Sequence, residues 1–555
     1  MEIVVAEETG GVRLTVLDDD GAAPAASVVP AGGLAARVAE LEAASRPRWV
    51  WADTATTYAR LLRAGARVER CFDLRLCRTI LRRAVGAPPP SDLWDDVEEP
   101  EDRPDAPPTL FESLTLPAEE VLAERLRQRE AVTASPEPGR LATLLAAESA
   151  GALLAVEMRH DGLPWDRAAH DQLLTEVLGP RPPLGARPPA LEALAEDVRR
   201  ALDAPRLNPD SGPALLRALH SAGISVQTTR KWELEQVDHP VVAPLLAYKK
   251  LSRLHSANGW AWADEWVRPG PPGAGRERFH PDYVPGGVVT GRWATRGGGA
   301  LQLPKQVRGA VVADPGWTLV VADVAQLEPR VLAAMARDEA MARAARGGDL
   351  YQGLVDQGVI DTRAHAKVAM LGALYGATTG AAGDLAPRLL RAFPRATAVV
   401  EGAAMRGEVG GTVRTWLGRT SPPPPPAWKA VQDRQHEGDA TDDDRRRARR
   451  LARDWGRFTR NFVVQGTAAE WALCWLADLR ARLRALGGDG GAGHSPHLVF
   501  FLHDEVIVHT PSAMADDVAA AVRESAAGAG RLLFGDFPVD FPLDVSVVTT
   551  YADAE

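Results

Sequence analysis

Two short acidic segments constrain this chain more than any other feature. Each is an apolar, strand-prone run that carries carboxylates at its end, and the two runs, Leu319–Glu328 and Val499–His509, lie about 180 residues apart. A carboxylate at the end of such a run is expected at the rim of a sheet rather than in its core. If the two runs meet, Asp323 and Asp504 offer the oxygen ligands that Mg²⁺ combines with water and substrate phosphates. The pair therefore points toward phosphoryl-transfer chemistry.

Length and composition set broad limits. A chain of 555 residues exceeds one ordinary core and predicts two or more domains. Its 45% hydrophobic and 25% charged residues are typical of a soluble globular protein. The net charge of -10 does not exclude nucleic acid as a partner, because phosphate contact depends on a basic stripe on one face. Cys71, Cys77 and Cys474 lack zinc-ligand spacing and fit a reducing compartment.

The first part of the chain has an α/β pattern. We predict a hairpin over residues 2–17, a short strand at 48–53 and a largely helical stretch over 58–83. A stretch rich in Pro, Asp and Glu over residues 86–108 predicts a linker. Residues 1–8 contain no basic n-region, so we expect no secretory leader, and no apolar run suggests a membrane span.

The rest of the chain reads as a helical block set between two parts of one sheet. Helical periodicity dominates residues 191–267 and 328–393, and a charged stretch over 439–450 predicts a solvated helix. Strand signals occur at residues 279–289, 318–322 and 498–509.

The helical block contains a third informative pattern, in residues 363–376. At four-residue steps, one broad helix face carries Arg363, Lys367, Leu371 and Tyr375. Such a face can bind a triphosphate through its two cations and press an aromatic ring against a base. For this helix alone, an ordinary amphipathic helix with a solvated basic face and a core tyrosine is the alternative.

The three segments, in this order, resemble the family A DNA polymerases, the bacterial polymerase I type. The first resembles motif A of that family, with Asp323, Glu328 and Arg330. The helix resembles the fingers helix of motif B, and His503-Asp504-Glu505 resembles motif C. Further pieces fall in the order of the family: Thr290-Gly-Arg292, Leu301-Gln302 and the run from Arg457 to Gln465. The resemblance covers roughly residues 190 to 555.

This resemblance implies an α/β multidomain fold. An RNase H-like domain of the 3′-5′ exonuclease type would occupy residues 1–155, and a right-hand polymerase would occupy residues 156–555. The polymerase would have a helical thumb at about 190–268, an antiparallel-sheet palm at about 279–345 and 455–555, and helical fingers at about 346–454.

The resemblance also assigns roles around the reaction. Asp323 and Asp504 would hold two Mg²⁺ ions, for which Mn²⁺ can substitute, with Glu505 as a helper. Six residues would contact the incoming nucleotide: Gln326, Glu328, Arg363, Lys367, Leu371 and Tyr375. Arg363 and Lys367 would hold its phosphates, and Lys367 would also be catalytic. Glu328 would crowd the sugar 2′ position, with a surface salt bridge to Arg330 as the alternative.

A further set of residues would contact DNA. Residues that read the duplex minor groove, where acceptors recur in every correct base pair, would be Arg292, Gln302, Arg457, Asn461 and Gln465. His503 would touch the primer terminus, with ordinary hairpin packing as the alternative.

Two positions depart from the family pattern. Leu371 stands where the family has Phe or Tyr, which removes an aromatic platform beside the incoming sugar and base. Tyr351 stands where the family has a phosphate-binding His and cannot supply a positive charge. We therefore expect altered nucleotide selection.

The N-terminal segment resembles the exonuclease domain only faintly. Proofreading needs clustered acids for two metal ions, and only Glu8 and Asp53 match such positions. Where the family has a Tyr followed by an Asp, this chain has Leu145 and Ser149. We expect an inactive, structural domain, with surface acids as the alternative for both residues, and we expect no 5′-nuclease domain.

The predicted activity is template-directed DNA synthesis in repair or gap filling, by a cytoplasmic, nucleoid-associated monomer. Its partners would be primer–template DNA and deoxynucleoside triphosphates, with no membrane. Two alternatives remain open. A single-subunit RNA polymerase also pairs distant aspartates with an Arg/Lys/Tyr-Gly helix, and a catalytically impaired DNA-binding descendant would explain a decayed N-terminal domain.

Overall fold

The computed structural model describes residues 1–17, 25–84, 94, 116–183, 185–270, 274–376, 380–487 and 495–554. The linker predicted at residues 86–108 lies outside these residues, apart from Trp94, and so does the side chain of Gln302. The chain divides into two compact units. Unit 1 comprises Met1–His160, Tyr283–Ala294 and Val320–Ser546, and unit 2 comprises Asp161–Asp282, Thr295–Leu319 and Val547–Glu555.

Unit 1 begins with an α/β segment. Its elements are β1 (Glu2–Glu8), β2 (Gly11–Leu17), β3 (Ala25–Val29), α1 (Leu34–Ser45), β4 (Arg48–Trp51), α2 (Thr54–Arg63), β5 (Arg70–Asp73), α3 (Leu74–Arg83), α4 (Ala118–Ala134) and α5 (Pro138–Asp161). The strands form one sheet in the order β3-β2-β1-β4-β5, with β1 antiparallel to β2 and parallel to β4. The predicted hairpin and the short strand at 48–53 are confirmed.

The prediction of a largely helical stretch over residues 58–83 is wrong at its centre. Residues Arg70–Asp73 form β5, which pairs in parallel with β4 from Arg48↔Arg70 to Trp51↔Asp73. Cys71 and Phe72, in the middle of β5, are buried. Burial against a sheet overrides the local helical pattern, because strand formation depends on neighbours distant in sequence.

Helix α5 bears on the expectation that no apolar run suggests a membrane span. Pro138–Asp161 is the one helix among the described residues that is long and apolar enough to cross a membrane by length and composition. However, 78% of its most apolar window is buried inside the protein, which is the pattern of a core helix. The helix also runs without a break across residues 155 and 156, where the predicted domain boundary falls.

Unit 2 is mainly helical. Its elements are β6 (Leu163–Trp165), α6 (Arg167–Leu178), α7 (Pro189–Ala201), α8 (Gly212–Ser221), α9 (Lys231–Leu234), α10 (Val242–Asn258), α11 (Trp260–Trp266), β7 (Val267–Arg268) and β8 (Glu277–Phe279). The three strands form a small antiparallel sheet in the order β6-β8-β7. The helical prediction for residues 191–267 is confirmed, and the helices pack around a core that includes Leu191, Leu219 and Leu245.

The remaining elements form two further sheets and the helices around them. They are β9 (Tyr283–Val284), β10 (Ala294–Thr295), β11 (Trp317–Val324), α12 (Leu327–Ala336), α13 (Glu339–Ala345), α14 (Leu350–Asp356), α15 (Arg363–Tyr375), α16 (Gly380–Ala392), α17 (Pro394–Glu408), α18 (Pro426–Arg434), α19 (Asp442–Gly487), β12 (His497–Leu502), β13 (Glu505–Pro511), α20 (Ala515–Phe534) and β14 (Leu543–Val548). Strands β9 and β10 pair with each other, and the four-stranded sheet has the order β12-β13-β11-β14. Strand structure at 279–289 is shorter than predicted, and the charged stretch at 439–450 overlaps the first turns of α19.

Helix α19 organises the core of unit 1 through buried charges. Arg480 is buried and donates from Nε and Nη2 to Glu157 on α5, at 2.8 and 2.7 Å. The Tyr58 hydroxyl donates to the same carboxylate at 2.5 Å. Removing either Arg480 or Glu157 would leave an uncompensated buried charge, which is strongly destabilising. The pair therefore holds α5 and α19 in a fixed relative position.

Glu470, also on α19, predicts a pH-dependent stability. It is fully buried, accepts from the Thr415 hydroxyl and the Leu417 amide, and burial raises its pKa to about 7. Since an unfolded Glu titrates near pH 4.3, stability from this group is full below that pH and is lost as pH rises through about 7. Ionisation of Glu470 should lower the free energy of unfolding by about 3 kcal/mol, and Glu470→Gln should remove this decrease. Above pH 7 the variant should therefore have a higher thermal unfolding midpoint than wild type.

Thermal unfolding across the interval from acidic to alkaline pH measures this effect. Glu524→Gln, at an exposed position on α20, is the matched control and should follow the wild-type pH curve. Parallel pH curves for wild type and Glu470→Gln would contradict the prediction.

Candidate active site

The two aspartates predicted to form a metal site lie side by side. Asp323 is near the end of β11, and Asp504 lies in the turn between β12 and β13. Strands β13 and β11 are neighbours in the sheet, and the Val324 amide donates to the Asp504 carbonyl at 3.1 Å. Sheet pairing thus brings together two segments that the sequence separates by about 180 residues.

Burial dominates the electrostatics of the two aspartates. Desolvation by the surrounding protein raises the pKa of Asp323 to about 7, and the nearby carboxylates of Asp504 and Glu505 add to this rise. Desolvation likewise raises the pKa of Asp504 to about 6, with Arg292 opposing the rise. Clustered acids with raised pKa values are typical of sites that bind a cation or exchange a proton.

The backbone around both aspartates adopts sparsely populated conformations. His503 has φ of 60° in the two-residue turn between Leu502 and Glu505, and Gln326 has φ of 51° just before α12. Residues other than glycine rarely occupy this region, and such strain concentrates at functional sites. The exposed His503 side chain lies near Arg292 and Glu328, and its pKa is lowered by desolvation and by Arg292.

The residues present fit a magnesium site. Both aspartates supply hard oxygen ligands, and a divalent cation would favour their charged forms, which desolvation and the neighbouring carboxylates disfavour. No group of three or more His, Cys, Asp and Glu side chains is positioned to hold a metal ion by itself in the described part of the chain. Two carboxylates suit Mg²⁺, which takes the rest of its ligands from water and substrate phosphates.

Glu328 lies at the centre of a hydrogen-bonded network. Its carboxylate accepts from the Arg292 guanidinium and from the Tyr375 hydroxyl, and the hydroxyl also bonds with Gln465. The side chain is only 14% exposed. Four residues predicted separately to touch nucleotide or DNA are therefore one connected group.

The alternative reading of Glu328, a surface salt bridge with Arg330, is wrong. Arg330 is fully buried and donates to backbone carbonyls, including Ala345 at 2.9 Å and Gly348 at 2.6 Å. It also donates to Gln326 Oε1 at 3.3 Å. Arg330 thus holds the loops behind the site, a role that its resemblance to the Arg of motif A did not reveal.

Helix α15 presents the predicted face. Arg363, Lys367, Leu371 and Tyr375 are exposed or half-buried, whereas the opposite face, with Ala366, Ala369, Met370 and Leu374, is buried. Thr362 caps the helix by accepting from the His365 amide at 3.2 Å. Lys367 has no ion-pair partner among the residues that the structure describes.

Asp349 is a member of the site that the sequence analysis missed. It accepts from Arg363 Nε at 2.6 Å and from Gln326 Nε2 at 3.4 Å, and it caps α14 through the Tyr351 amide at 3.0 Å. Arg363 also lies 5.9 Å from the centre of the Tyr351 ring. The Asp that follows Gly347-Gly348 is a helix-capping signal, but its pairing with Arg363 has no local signature.

The predicted minor-groove residues on α19 lie on its accessible side. Arg457 is exposed and pairs with Asp454, and Asn461 is half-buried. The Asn461 Oδ1 atom is buried without a hydrogen-bond partner in the described structure. The side chain of Gln302, the fifth member of this set, is outside the described residues.

The comparison with known families decides the affiliation. Residues 215–553 match the family model described as DNA polymerase family A. The chain belongs to DNA polymerase family A.

Relatives of this family A chain are bacterial polymerases. It is 28% identical over 335 residues to the thermostable DNA polymerase I of Thermus filiformis, covering 56% of the chain and 36% of that protein. It is 29% identical over 344 residues to DNA polymerase I of Chloroflexus aurantiacus, covering 57% of the chain and 33% of that protein. The chain thus spans about a third of the length of these relatives.

The fold is also shared with a solved family A structure. The POL domain of Pol1 from M. smegmatis, in complex with DNA primer-template and dNTP, superposes with a TM-score of 0.70. The likeness covers 100% of this chain and 95% of that domain at 18% sequence identity, so it establishes the fold alone.

The acids of the faint exonuclease resemblance are paired with arginines in this family A chain. Glu8 accepts from Arg13 Nε at 2.8 Å. Asp53 accepts from Arg75 Nε at 3.1 Å and caps α2 through the Thr56 amide at 3.0 Å. Leu145 and Ser149 are buried, and neither supplies a carboxylate.

Proposed function

We propose that this chain catalyses template-directed DNA synthesis, adding deoxynucleotides to a primer 3′-hydroxyl with release of pyrophosphate. The observation that carries the proposal is the adjacency of Asp323 and Asp504, with the Arg292–Glu328–Tyr375–Gln465 network beside them. Family A membership supports the same chemistry. Primer–template DNA and deoxynucleoside triphosphates are the proposed partners.

In this mechanism the residues of the chain mainly position and stabilise charge. Asp323 and Asp504 would hold Mg²⁺, which when bound activates the hydroxyl nucleophile and neutralises the leaving phosphates. Arg363 and Lys367 would bind the β- and γ-phosphates at the N-terminal half of α15. Arg363 must leave Asp349 or share its donors to do so, because its Nε is already bonded there at 2.6 Å.

The remaining side chains would orient the base pair and the sugar. Tyr375 would lie beside the nascent base pair, and Glu328 beside the sugar 2′ carbon. Glu328 is held by two donors, so its position is fixed before nucleotide arrives. Arg457 and Asn461 would read the duplex minor groove through their N–H donors, because every correct base pair presents acceptors there.

We assign the domains accordingly: thumb at about 190–268, palm at about 279–345 and 455–555, and fingers at about 346–454. The helical unit 2 core around Leu191–Leu251 supports the thumb, and the sheet of β11–β14 supports the palm.

Primer extension tests the proposed function. Purified protein, Mg²⁺ and a recessed primer are incubated with deoxynucleoside triphosphates, ribonucleoside triphosphates or no nucleotide, with a metal-free reaction as control. Extension that requires Mg²⁺ and deoxynucleotides is expected. Preference for ribonucleotides would identify the RNA polymerase alternative, and no extension with retained DNA binding would identify the impaired descendant.

We also propose that residues 1–155 form an exonuclease-like domain without nuclease activity. Metal binding there would require Asp53 to give up Arg75 and Glu8 to give up Arg13, leaving cations inside the site. A mismatched primer incubated with Mg²⁺ and no nucleotide should keep its length. Stepwise trimming that persists in Asp504→Asn and disappears in Asp53→Asn would refute the proposal.

Leu371 is expected to weaken stacking beside the incoming nucleotide. We expect Leu371→Phe to lower the KM for deoxynucleotides by about two- to tenfold and to change the ratio of dideoxy to deoxy incorporation, because an aromatic pair adds roughly 0.5–1.5 kcal/mol. Single-nucleotide incorporation measures both quantities. Val368→Phe, on a different exposed side of α15, is the control, and equal ratios in all three proteins would contradict the expectation.

A further inference from the structure

The first turns of α19 carry a row of arginines on one side of the helix. At 100° per residue, Arg446, Arg449, Arg450 and Arg453 fall within an arc of about 100°, and Arg457 falls inside the same arc. All five are exposed. With a rise of 1.5 Å per residue, the row from Arg446 to Arg457 is about 16 Å long. Arg446, Arg449, Arg450 and Arg453 are called the arginine stripe below.

The opposite side of the same turns is covered by protein. Helix α18 packs there, with Trp428 Nε1 donating to the Leu451 carbonyl at 3.0 Å and Gln432 Nε2 donating to the Ala448 carbonyl at 2.9 Å. Ala448 is fully buried. The packing of α18 therefore fixes which side of α19 faces the solvent, and that side is the arginine stripe.

The charge of the stripe is largely uncompensated within the described structure. Arg446 pairs with Asp443 at 2.5 Å, but both side chains are highly exposed, and such pairs contribute little. Arg449, Arg450 and Arg453 have no ion-pair partner among the residues that the structure describes. Like charges one turn apart on a helix destabilise it. An external anion would relieve this repulsion.

We propose that the arginine stripe binds the phosphate backbone of the duplex part of the primer–template, which extends the DNA contact made by Arg457 and Asn461. The inference rests on the proposed function, in which those two residues read the duplex minor groove. The stripe continues their helix side toward the N-terminus of α19. Duplex DNA carries one negative charge per about 1.7 Å of its axis, and a stiff helix of 46 residues presents a fixed row of cations to such a rod.

The test compares three triple variants in DNA binding without nucleotide. Arg449, Arg450 and Arg453 are replaced together by Gln, which removes the charge, or by Lys, which keeps it. The control replaces Arg37, Arg63 and Arg531, exposed arginines on α1, α2 and α20, by Gln. Fluorescence anisotropy measures Kd for a primer–template with a long duplex and a one-nucleotide overhang across a salt series.

The Gln variant is expected to weaken binding about tenfold at low salt and to reduce the slope of log K against log salt by about 2 to 3. The Lys variant should keep most of the slope, and the control should match wild type. A Gln variant that matches the control would overturn the proposal. So would a loss confined to substrates with long single-stranded overhangs, because that result would place the contact on the template strand ahead of the duplex.

The DNA-binding result for the arginine stripe can be distinguished from the primer-extension result that tests the proposed function. Binding is measured without nucleotide, so absence of primer extension by wild type would refute the polymerase proposal without deciding the anisotropy result. A stripe-dependent salt slope in a protein that does not extend primers would support duplex binding by the catalytically impaired alternative.

Discussion

Replacing Asp504 with Asn is expected to lower the rate of nucleotide addition by at least about 10³-fold, because a bound metal stabilises transition-state charge by several kcal/mol. The structure places Asp504 beside Asp323, with the Val324 amide bonded to the Asp504 carbonyl at 3.1 Å. Asn keeps this backbone contact and the shape of the turn. The loss should therefore appear in kcat, with the Kd for DNA nearly unchanged, in single-turnover extension with pre-bound primer–template.

The same variant should reveal the metal site without any catalysis. Desolvation raises the pKa of Asp323 to about 7, and the neighbouring carboxylates of Asp504 and Glu505 add to this rise, so the metal-free site disfavours its own charges. Neutralising one of them should raise the metal-free thermal unfolding midpoint and shrink the further increase caused by Mg²⁺. Asp516→Asn, at an exposed position on α20, is the control for removal of a carboxylate. A wild-type Mg²⁺ response retained by Asp504→Asn would show that the metal binds elsewhere.

Replacing Glu328 with Ala is expected to reduce discrimination against ribonucleotides by about 10²-fold. The carboxylate is 14% exposed and is held by Arg292 and Tyr375, so it occupies fixed space rather than sampling many rotamers. Its removal opens room for a 2′-hydroxyl. The measurement is the ratio of kcat/KM for each deoxynucleotide to that for its ribonucleotide.

Two further variants separate steric exclusion from charge and from positioning. Glu328→Gln keeps the volume and should retain most of the discrimination. Tyr375→Phe keeps the ring but removes one of the two donors that hold Glu328. A partial loss of discrimination against ribonucleotides is expected if the network positions the Glu328 carboxylate. An unchanged ratio in Glu328→Ala would show that Glu328 only anchors Arg292 and Tyr375.

Local patterns predicted the parts of the site that depend on a single element. The helical period placed four residues on one face of α15, and the structure shows that face outward, because side-chain direction along a helix follows from its geometry. The strand-prone runs that end near Asp323 and Asp504 became β11, β12 and β13 for the same local reason. Family resemblance then supplied roles that periodicity alone does not contain.

Pairings across the fold escaped prediction. Glu328 bonds to Arg292, 36 residues away, rather than to Arg330, which is buried against backbone carbonyls. Asp349 holds Arg363, and β5 interrupts a stretch with a helical pattern because β4 pairs with it. In each case packing and sheet register determine which residue or strand is the partner, and these cannot be predicted from a short stretch of sequence.

The sequence by itself determined which side of helix α15 its candidate site residues occupy and where the acidic runs form strands, because both follow from residue type and local period. Only the tertiary structure decided that Asp323 and Asp504 meet, that Glu328 joins Arg292 to Tyr375, and that the arginine stripe faces solvent. These outcomes depend on contacts between distant segments, where burial, hydrogen-bond satisfaction and charge repulsion select one arrangement.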